Sequence, residues 1–144
     1  MIRRREFLLA LIAWPLASFA SRQTLIQPVS GGMNRAWQYD GRILRRWRGM
    51  PVDDWVYEEN VLRPAQGSLR QAWRFDGHRL DPYLGGTLGW RYDGRVLQPE
   101  SGDLRAAWYF DGRHFRPYLG GYEASWEVVG AAPIPVSAKA AGVI

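Results

Sequence analysis

Apolar and polar side chains alternate in short runs along residues 33–136, which is the pattern of half-buried β-strands. Each run begins at a Trp, and these Trp residues recur every 17 or 18 positions. They are Trp37, Trp55, Trp73, Trp90, Trp108 and Trp126. With each Trp numbered 0, the first five units carry Tyr or Phe at +2, Leu or Phe at +7 and Gly at +12. The chain therefore contains a six-unit repeat.

A turn signal lies in the middle of most units. Asp-Gly occupies +3 and +4 in four of them, starting at Asp40, Asp76, Asp93 and Asp111. Asp-Gly between alternating residues predicts a two-residue hairpin loop of type I′, which needs positive φ at both residues. Such a loop pairs +2 with +5 and 0 with +7, so we expect Trp73 opposite Leu80. Pro at +9 then ends the second strand, because Pro cannot donate to a ladder.

Positions 0, +2 and +7 share one apolar face, and a single hairpin cannot bury that face alone. Six adjacent hairpins can pool these side chains into one core. The pattern predicts an all-β fold of six tandem hairpins of about 18 residues, in an antiparallel meander closed into a small barrel or flower. The alternative is an open β-hairpin solenoid, which the degenerate second and sixth units favour as caps.

The tandem motif Trp-x-(Tyr/Phe)-Asp-Gly-x-x-Leu resembles the hairpin repeats of bacterial β-flower domains. It is also similar to the YD repeats of Rhs-type proteins and to Trp-rich choline-binding repeats. It departs from the former by having no spacer between Asp and Gly, and from the latter by lacking a Trp-Tyr-Tyr run. The resemblance covers residues 33–136. It implies an architecture and no activity, since β-flower domains have no assigned catalytic residues.

The N-terminus has the pattern of an export signal. Three Arg residues precede an apolar stretch, and Ser18-Phe19-Ala20 offers a small-x-small cleavage site. The run Arg4-Arg5-Glu6-Phe7-Leu8 resembles the core of the twin-arginine (Tat) signal, whereas a general secretory signal and a retained anchor are the alternatives. The chain has no apolar stretch of about 18 residues, so we expect no transmembrane span. The protein is therefore expected in the periplasm or outside the cell.

These patterns divide the chain into four parts. We expect a signal peptide over 1–20, a linker over 21–32, the hairpin repeat domain over 33–136 and a flexible C-terminal tail over 137–144.

Composition removes several kinds of chemistry. The chain has no Cys, which excludes disulfides, zinc fingers, thiol catalysis and iron–sulfur clusters. His78 at +5 and His114 at +6 should point to opposite faces, so we expect no shared metal site. No nucleophile elbow, phosphate-cradling loop or His–Glu metal pair occurs. We therefore expect no catalytic residues, no metal and no cofactor, and we interpret the repeated Asp as turn residues.

Two groups of residues are candidate ligand sites. Pro-Tyr-Leu-Gly-Gly occurs twice and predicts either a packed loop or a platform of exposed Tyr, with Arg nearby for an acidic substituent. The platform residues are Tyr83, Tyr118, Arg79 and Arg116. The second group is either a charged edge strand or a patch for anionic partners such as lipid headgroups or glycans. It consists of Arg42, Arg45, Arg46 and Arg48.

These observations favour an exported, non-catalytic β-repeat domain that acts as a binding or structural module in the bacterial cell envelope. We expect a glycan or another envelope protein as its partner, peripheral contact with anionic surfaces, and no nucleic acid. One alternative is a small exported enzyme or a cofactor-carrying protein that uses Tat export. Another is an accessory subunit that docks onto a periplasmic complex through its Arg-rich first unit.

Overall fold

A computed structural model describes residues 23–144 as one closed barrel of twelve antiparallel strands. Each strand pairs with its neighbours along the chain, and β1 pairs with both β2 and β12. The strands are β1 (Thr24–Pro28), β2 (Trp37–Tyr39), β3 (Ile43–Arg46), β4 (Trp55–Glu58), β5 (Val61–Pro64), β6 (Trp73–Phe75), β7 (Arg79–Pro82), β8 (Trp90–Tyr92), β9 (Val96–Pro99), β10 (Trp108–Phe110), β11 (His114–Pro117) and β12 (Trp126–Val129). The closed all-β meander is confirmed, and the open solenoid is excluded. The predicted signal peptide lies outside the described residues.

The hairpin register differs from the prediction by two residues. Trp73 lies opposite Pro82, and Phe75 lies opposite Leu80, so the expected pairing of Trp73 with Leu80 is wrong. The turn comes later because Asp76 extends the ladder: its N–H donates to the Arg79 carbonyl at 3.2 Å. A slip of two residues keeps every side chain on its face. The predicted apolar face is therefore correct although the register is not.

The Asp-Gly turns also differ from type I′. Gly77 has a φ of 98°, and Asp76 does not share this left-handed conformation. Instead, the Asp76 Oδ1 accepts the N–H groups of His78 at 2.8 Å and Arg79 at 2.7 Å. Positive φ at both loop residues occurs in the second unit, at Glu59 (49°) and Asn60 (65°), as a type I′ turn requires.

The sixth unit is completed from the other end of the chain. Ile26 of β1 lies opposite Val128 and Trp37, just as Leu80 lies opposite Phe75 and Trp90. The segment predicted as a linker therefore supplies a strand of the barrel. Ile26 occupies the place that the sequence pattern assigned to Pro133. The six equivalent side chains are fully buried in a ring, namely Ile26, Leu44, Leu62, Leu80, Leu97 and Phe115.

The two ends of the barrel are distinct. The Asp-Gly turns lie at one end, here called the turn end, and the loops between hairpins lie at the other, the Trp end. At the Trp end, each residue before a Trp accepts a hydrogen bond from the loop that follows the paired strand, as Ala72 does from the Tyr83 N–H at 2.9 Å. The Val29 N–H donates to the Ser125 carbonyl at 2.9 Å in the same way. This bond again marks β1 as the second strand of unit six.

A helix runs through the barrel. After β12 the chain turns at the turn end, where Ala131 exchanges hydrogen bonds with Thr24 of 2.7 and 3.1 Å. The helix α1 (Ile134–Ala140) follows, and all its residues except Lys139 are buried. A helix buried on every side must be enclosed, and Val136 and Ala138 join the same core as the ring of Leu side chains. The expectation of a flexible tail over 137–144 is therefore wrong. No helix in residues 23–144 has the length and apolarity needed to cross a membrane.

Candidate functional site

An open cavity of about 550 Å³ lies at the Trp end of the barrel. Trp37, Trp55 and Trp126 form part of its wall, and the C-terminal end of α1 forms another part. These Trp residues begin strands of the first, second and sixth units, so the cavity lies beside the seam where β1 closes the ring. The last turn of the helix therefore lies beside strands from the N-terminal and the C-terminal parts of the described chain.

Each of these Trp rings is covered by a cation. The Arg46 guanidinium carbon lies 4.7 Å from the centroid of Trp37, and that of Arg35 lies 5.4 Å from the centroid of Trp126. The Lys139 Nζ lies 4.1 Å from the centroid of Trp55. These distances are within the range of cation–π attraction. Three basic side chains thus converge on one cavity.

Arg46 reaches the cavity because of its place in the repeat. It ends β3 at position +9, opposite Trp37. The second strands of the other units end in Pro at this position, including Pro28 of β1. The missing Pro in the first unit was therefore a signal in the sequence. Arg46 is the charged residue that replaces this Pro, and its side chain reaches the cavity wall.

The cavity has an excess of positive charge. None of Arg35, Arg46 and Lys139 forms an ion pair with an Asp or Glu side chain of residues 23–144. Asp54 also lines the cavity, but it is buried and bound by Arg45, with N–O distances of 2.6 to 3.0 Å. That ion pair raises the pKa of Arg45, chiefly through the hydrogen bond from its guanidinium to Asp54.

Lys139 is the most enclosed of the three cations. Burial lowers the pKa of Lys139, and the positive charge of Arg46 lowers it further. Its Nζ donates a hydrogen bond to the Ile144 main-chain oxygen at 3.1 Å. Asp53 is the carboxylate of the cavity wall that forms no ion pair within the described part of the chain, and it is exposed. The balance of free charges in the cavity is therefore positive.

The predicted Tyr platform is not assembled as one site. Tyr83 follows β7 and Tyr118 follows β11, with β8, β9 and β10 between these strands. Tyr83 is half-buried, with the Arg74 guanidinium carbon 4.9 Å from its ring centroid, whereas Tyr118 is exposed.

The two Arg residues of the predicted platform are also engaged elsewhere. Arg79 forms ion pairs with Asp81 and Glu100. Arg116 lies over the ring of Tyr109, with 4.9 Å between its guanidinium carbon and the ring centroid. The four platform residues therefore lie at different places on the barrel and do not contact a common partner.

The predicted Arg patch is divided among several surfaces. Arg42 pairs with Glu58 near the turn end, and Arg45 pairs with Asp54. Arg46 enters the cavity wall, and Arg48 lies exposed in the following loop with a φ of 55°. β3 has a partner on both sides, so these residues do not protect a free edge. Arg46 is therefore the member of the predicted patch that reaches the cavity.

The repeated Asp side chains hold the turns. The pKa values of Asp76, Asp93 and Asp111 lie below the usual range, chiefly because backbone N–H groups of the turn donate to their carboxylates. His78 lies in a turn, and the ring of His114 lies 5.9 Å from that of Tyr122, between centroids. Within residues 23–144, no three His, Asp or Glu side chains are grouped to hold a metal ion.

Comparison of the chain with models of protein families, with curated proteins and with solved structures found no match. The resemblance to β-flower domains therefore rests on the hairpin motif alone. What the fold defines is a closed ring of six hairpin-like units with an internal helix and a cationic cavity at one end.

Proposed function

We propose that the protein is an exported binding module of the cell envelope that holds an anionic ligand group in the cavity at the Trp end. The observation that carries this proposal is the convergence of Arg35, Arg46 and Lys139 at one cavity, where none of them has an Asp or Glu side-chain partner in residues 23–144. Like charges held close together repel each other, and a bound anion removes that cost.

The chemistry of the cavity wall suits recognition of a carboxylate or phosphate group. A guanidinium presents planar paired donors that match either anion, and an ammonium adds a compact positive charge. The Trp rings contact these cations through cation–π interactions, which hold the donor groups in place at the cavity wall. No Ser, Thr or His of residues 23–144 lines the cavity, so the described wall holds no hydroxyl nucleophile with a His base.

Calorimetric titration of the purified protein at low ionic strength tests this proposal. The probes are glucuronate and inorganic phosphate, with glucose as the uncharged counterpart of glucuronate. We expect glucuronate or phosphate to bind and quench Trp fluorescence, because three Trp rings line the cavity. Glucose should bind more weakly, since it lacks the charge.

A matched pair of Arg variants locates the site. Arg46→Gln should weaken binding about tenfold or more, the loss expected for one charged hydrogen-bonding partner. Arg91→Gln should bind as the wild type does, because Arg91 is exposed on the outer surface of β8. Urea midpoints show whether both variants are folded. Equal binding by wild type and Arg46→Gln, or no binding of either anion, would exclude this site.

A further inference from the structure

The exposed apolar side chains of the described residues are concentrated at one end of the barrel. All the large ones except Val129 lie in the loops that join the hairpins at the Trp end. They are Met33, Met50, Val52, Leu69, Leu84, Leu88, Leu104, Tyr118, Leu119 and Tyr122. Each of the six loops contributes at least one. This set, here called the apolar crown, surrounds the end at which the cavity opens.

Local structure directs several crown side chains outward. Met33, Leu69 and Tyr122 each begin a 3-10 turn, and none of these turns contains a buried residue. The exposed fraction reaches 68% at Leu88 and 67% at Met50. Scattered exposed apolar residues are ordinary in soluble proteins, but a group confined to one end of a fold marks an interaction surface.

The loops of the crown have nearly the same length. Each spans seven or eight residues between the end of one strand and the Trp of the next. The loops are distributed around the whole ring, so the crown is broad. The crown is therefore suited to a flat partner rather than to a single peptide or a projecting side chain.

The same end carries an excess of free positive charge. Several basic side chains of the loops and cavity form no ion pair with Asp or Glu in residues 23–144, namely Arg35, Arg46, Arg48, Arg70 and Lys139. The corresponding Asp and Glu side chains without an ion pair in that range are Asp53 and Glu123. Charge complementarity therefore favours an anionic partner.

We propose that the Trp end docks onto a membrane that contains anionic lipid, with the apolar crown in the interfacial layer and the cavity facing the headgroups. This inference rests on the proposed function, because the lipid phosphate is the anionic group at the cavity. Most crown side chains are aliphatic and two are Tyr, which suits a lipid interface better than the stacking surface of a glycan site. Basic residues near the surface add attraction to anionic lipid.

Co-sedimentation with vesicles tests the docking surface. One set of vesicles contains phosphatidylcholine alone, and the other contains equal amounts of phosphatidylcholine and phosphatidylglycerol. We expect the full-length processed protein to sediment with the mixed vesicles and much less with the neutral ones. Added salt should release the protein, because it screens the Arg and Lys contribution.

Variants separate the crown from the rest of the surface. The double variant Leu84→Ser/Leu88→Ser should bind the mixed vesicles at least about tenfold more weakly than the wild type. It removes apolar groups that would be buried in the lipid interface. Val129→Ser is the matched control, because Val129 is exposed at the opposite end, and it should bind as the wild type does. All these side chains are exposed, and urea midpoints verify that the variants are folded.

The outcomes distinguish failure of docking from failure of the binding site. The Leu84→Ser/Leu88→Ser variant should keep the wild-type affinity for glucuronate, whereas Arg46→Gln should lose it. If wild type binds glucuronate but no vesicles, docking is wrong and the binding site stands. Equal vesicle binding by the crown variant and the control would also overturn docking. So would a dimer in sedimentation velocity that dissociates in the crown variant, because the crown would then contact a second copy.

Discussion

Ile26 lies directly opposite Val128, so strands from the two ends of the described chain form the last unit of the barrel. Ile26 is fully buried, and on its other side it lies opposite Trp37 of the first hairpin. It therefore connects unit six to unit one across the seam. This single side chain completes the buried ring that the other five units begin.

Truncation of Ile26 should weaken the whole barrel. Ile26→Ala should reduce the free energy of unfolding by about 2–5 kcal/mol, and Leu80→Ala should have a similar cost, because both positions are fully buried in the same ring. Ile43→Ala should cost less, since Ile43 is half-buried on the outer face of β3. Urea denaturation measures all three. A cost for Ile26→Ala no larger than for Ile43→Ala would show that β1 does not close the ring.

Gly94 should tolerate a side chain poorly because of its backbone conformation. Its φ is 100°, and a Cβ built there meets no atom within 4 Å, so the cost comes from the backbone and not from a clash. Gly94→Ala should destabilise by about 1–3 kcal/mol. Gly32→Ala should cost less, because Gly32 has a φ of −86° and its Cβ would meet the flexible Asn34 side chain. Equal urea midpoints for the two variants would contradict the turn geometry.

The Asp turns should make stability depend on acid pH. The pKa values of Asp76, Asp93 and Asp111 are lower in the folded chain than the ordinary value of 3.8. As the pH falls, these Asp residues therefore take up protons at a higher pH in the unfolded chain than in the folded chain. The stabilisation present above pH 3.8 is lost as the pH falls through the pKa values of the folded chain. Replacing all three Asp with Asn keeps an acceptor oxygen but removes the titration. The urea midpoint of this variant should fall less between pH 5 and pH 2 than that of wild type, and parallel curves would contradict the assignment.

Ser137 of the internal helix offers a test of enclosure. It is fully buried, and its Oγ has no hydrogen-bond partner among the described residues. Ser137→Ala removes this unsatisfied hydroxyl and should raise the free energy of unfolding by about 1 kcal/mol. Ala138→Arg should instead destabilise strongly, because it places a charge in the core. A harmless Ala138→Arg variant would show that α1 does not lie inside the barrel.

Export should depend on the paired Arg residues. We expect Arg4→Lys/Arg5→Lys to block export, since the motif resembles a Tat signal. N-terminal sequencing of exported protein should begin at Ser21, after the small-x-small site. Cleavage there leaves β1 intact, because this strand starts at Thr24. Undiminished export of the variant would assign the signal to the general secretory route.

The repeat was visible in the sequence because its strongest residues are local. Trp, Asp-Gly and Pro at fixed spacing define a hairpin and its buried face, and six units on one face favour closure. The exact register was not visible, because it depends on whether the Asp side chain or the Asp backbone completes the turn. Asp76 does both, and this moves the loop by one residue.

The strand that closes the ring was harder to predict, because the segment that forms β1 contains only the second half of a repeat unit. Ile26, Pro28 and Gly31 match positions +7, +9 and +12, but position 0 of this half unit is Phe19 and not Trp. The internal helix had no amphipathic pattern, since a helix enclosed on every side needs none. The cavity depends on both features, so its three cations could not be grouped from their spacing. Arg46 gave the one local signal, a missing Pro.

The placement of β1 sets the order in which the chain can finish folding during synthesis. β1 and β2 are made early and can pair at once, but the other edge of β1 has no partner until β12 has left the ribosome. The segment that becomes α1 follows β12, so the interior is filled last. Within residues 23–144, the first strand to be made is therefore the last to be enclosed. A ribosome stalled before residue 126 should hold a row of hairpins with two open edges, sensitive to protease, and release of the full chain should abolish that sensitivity.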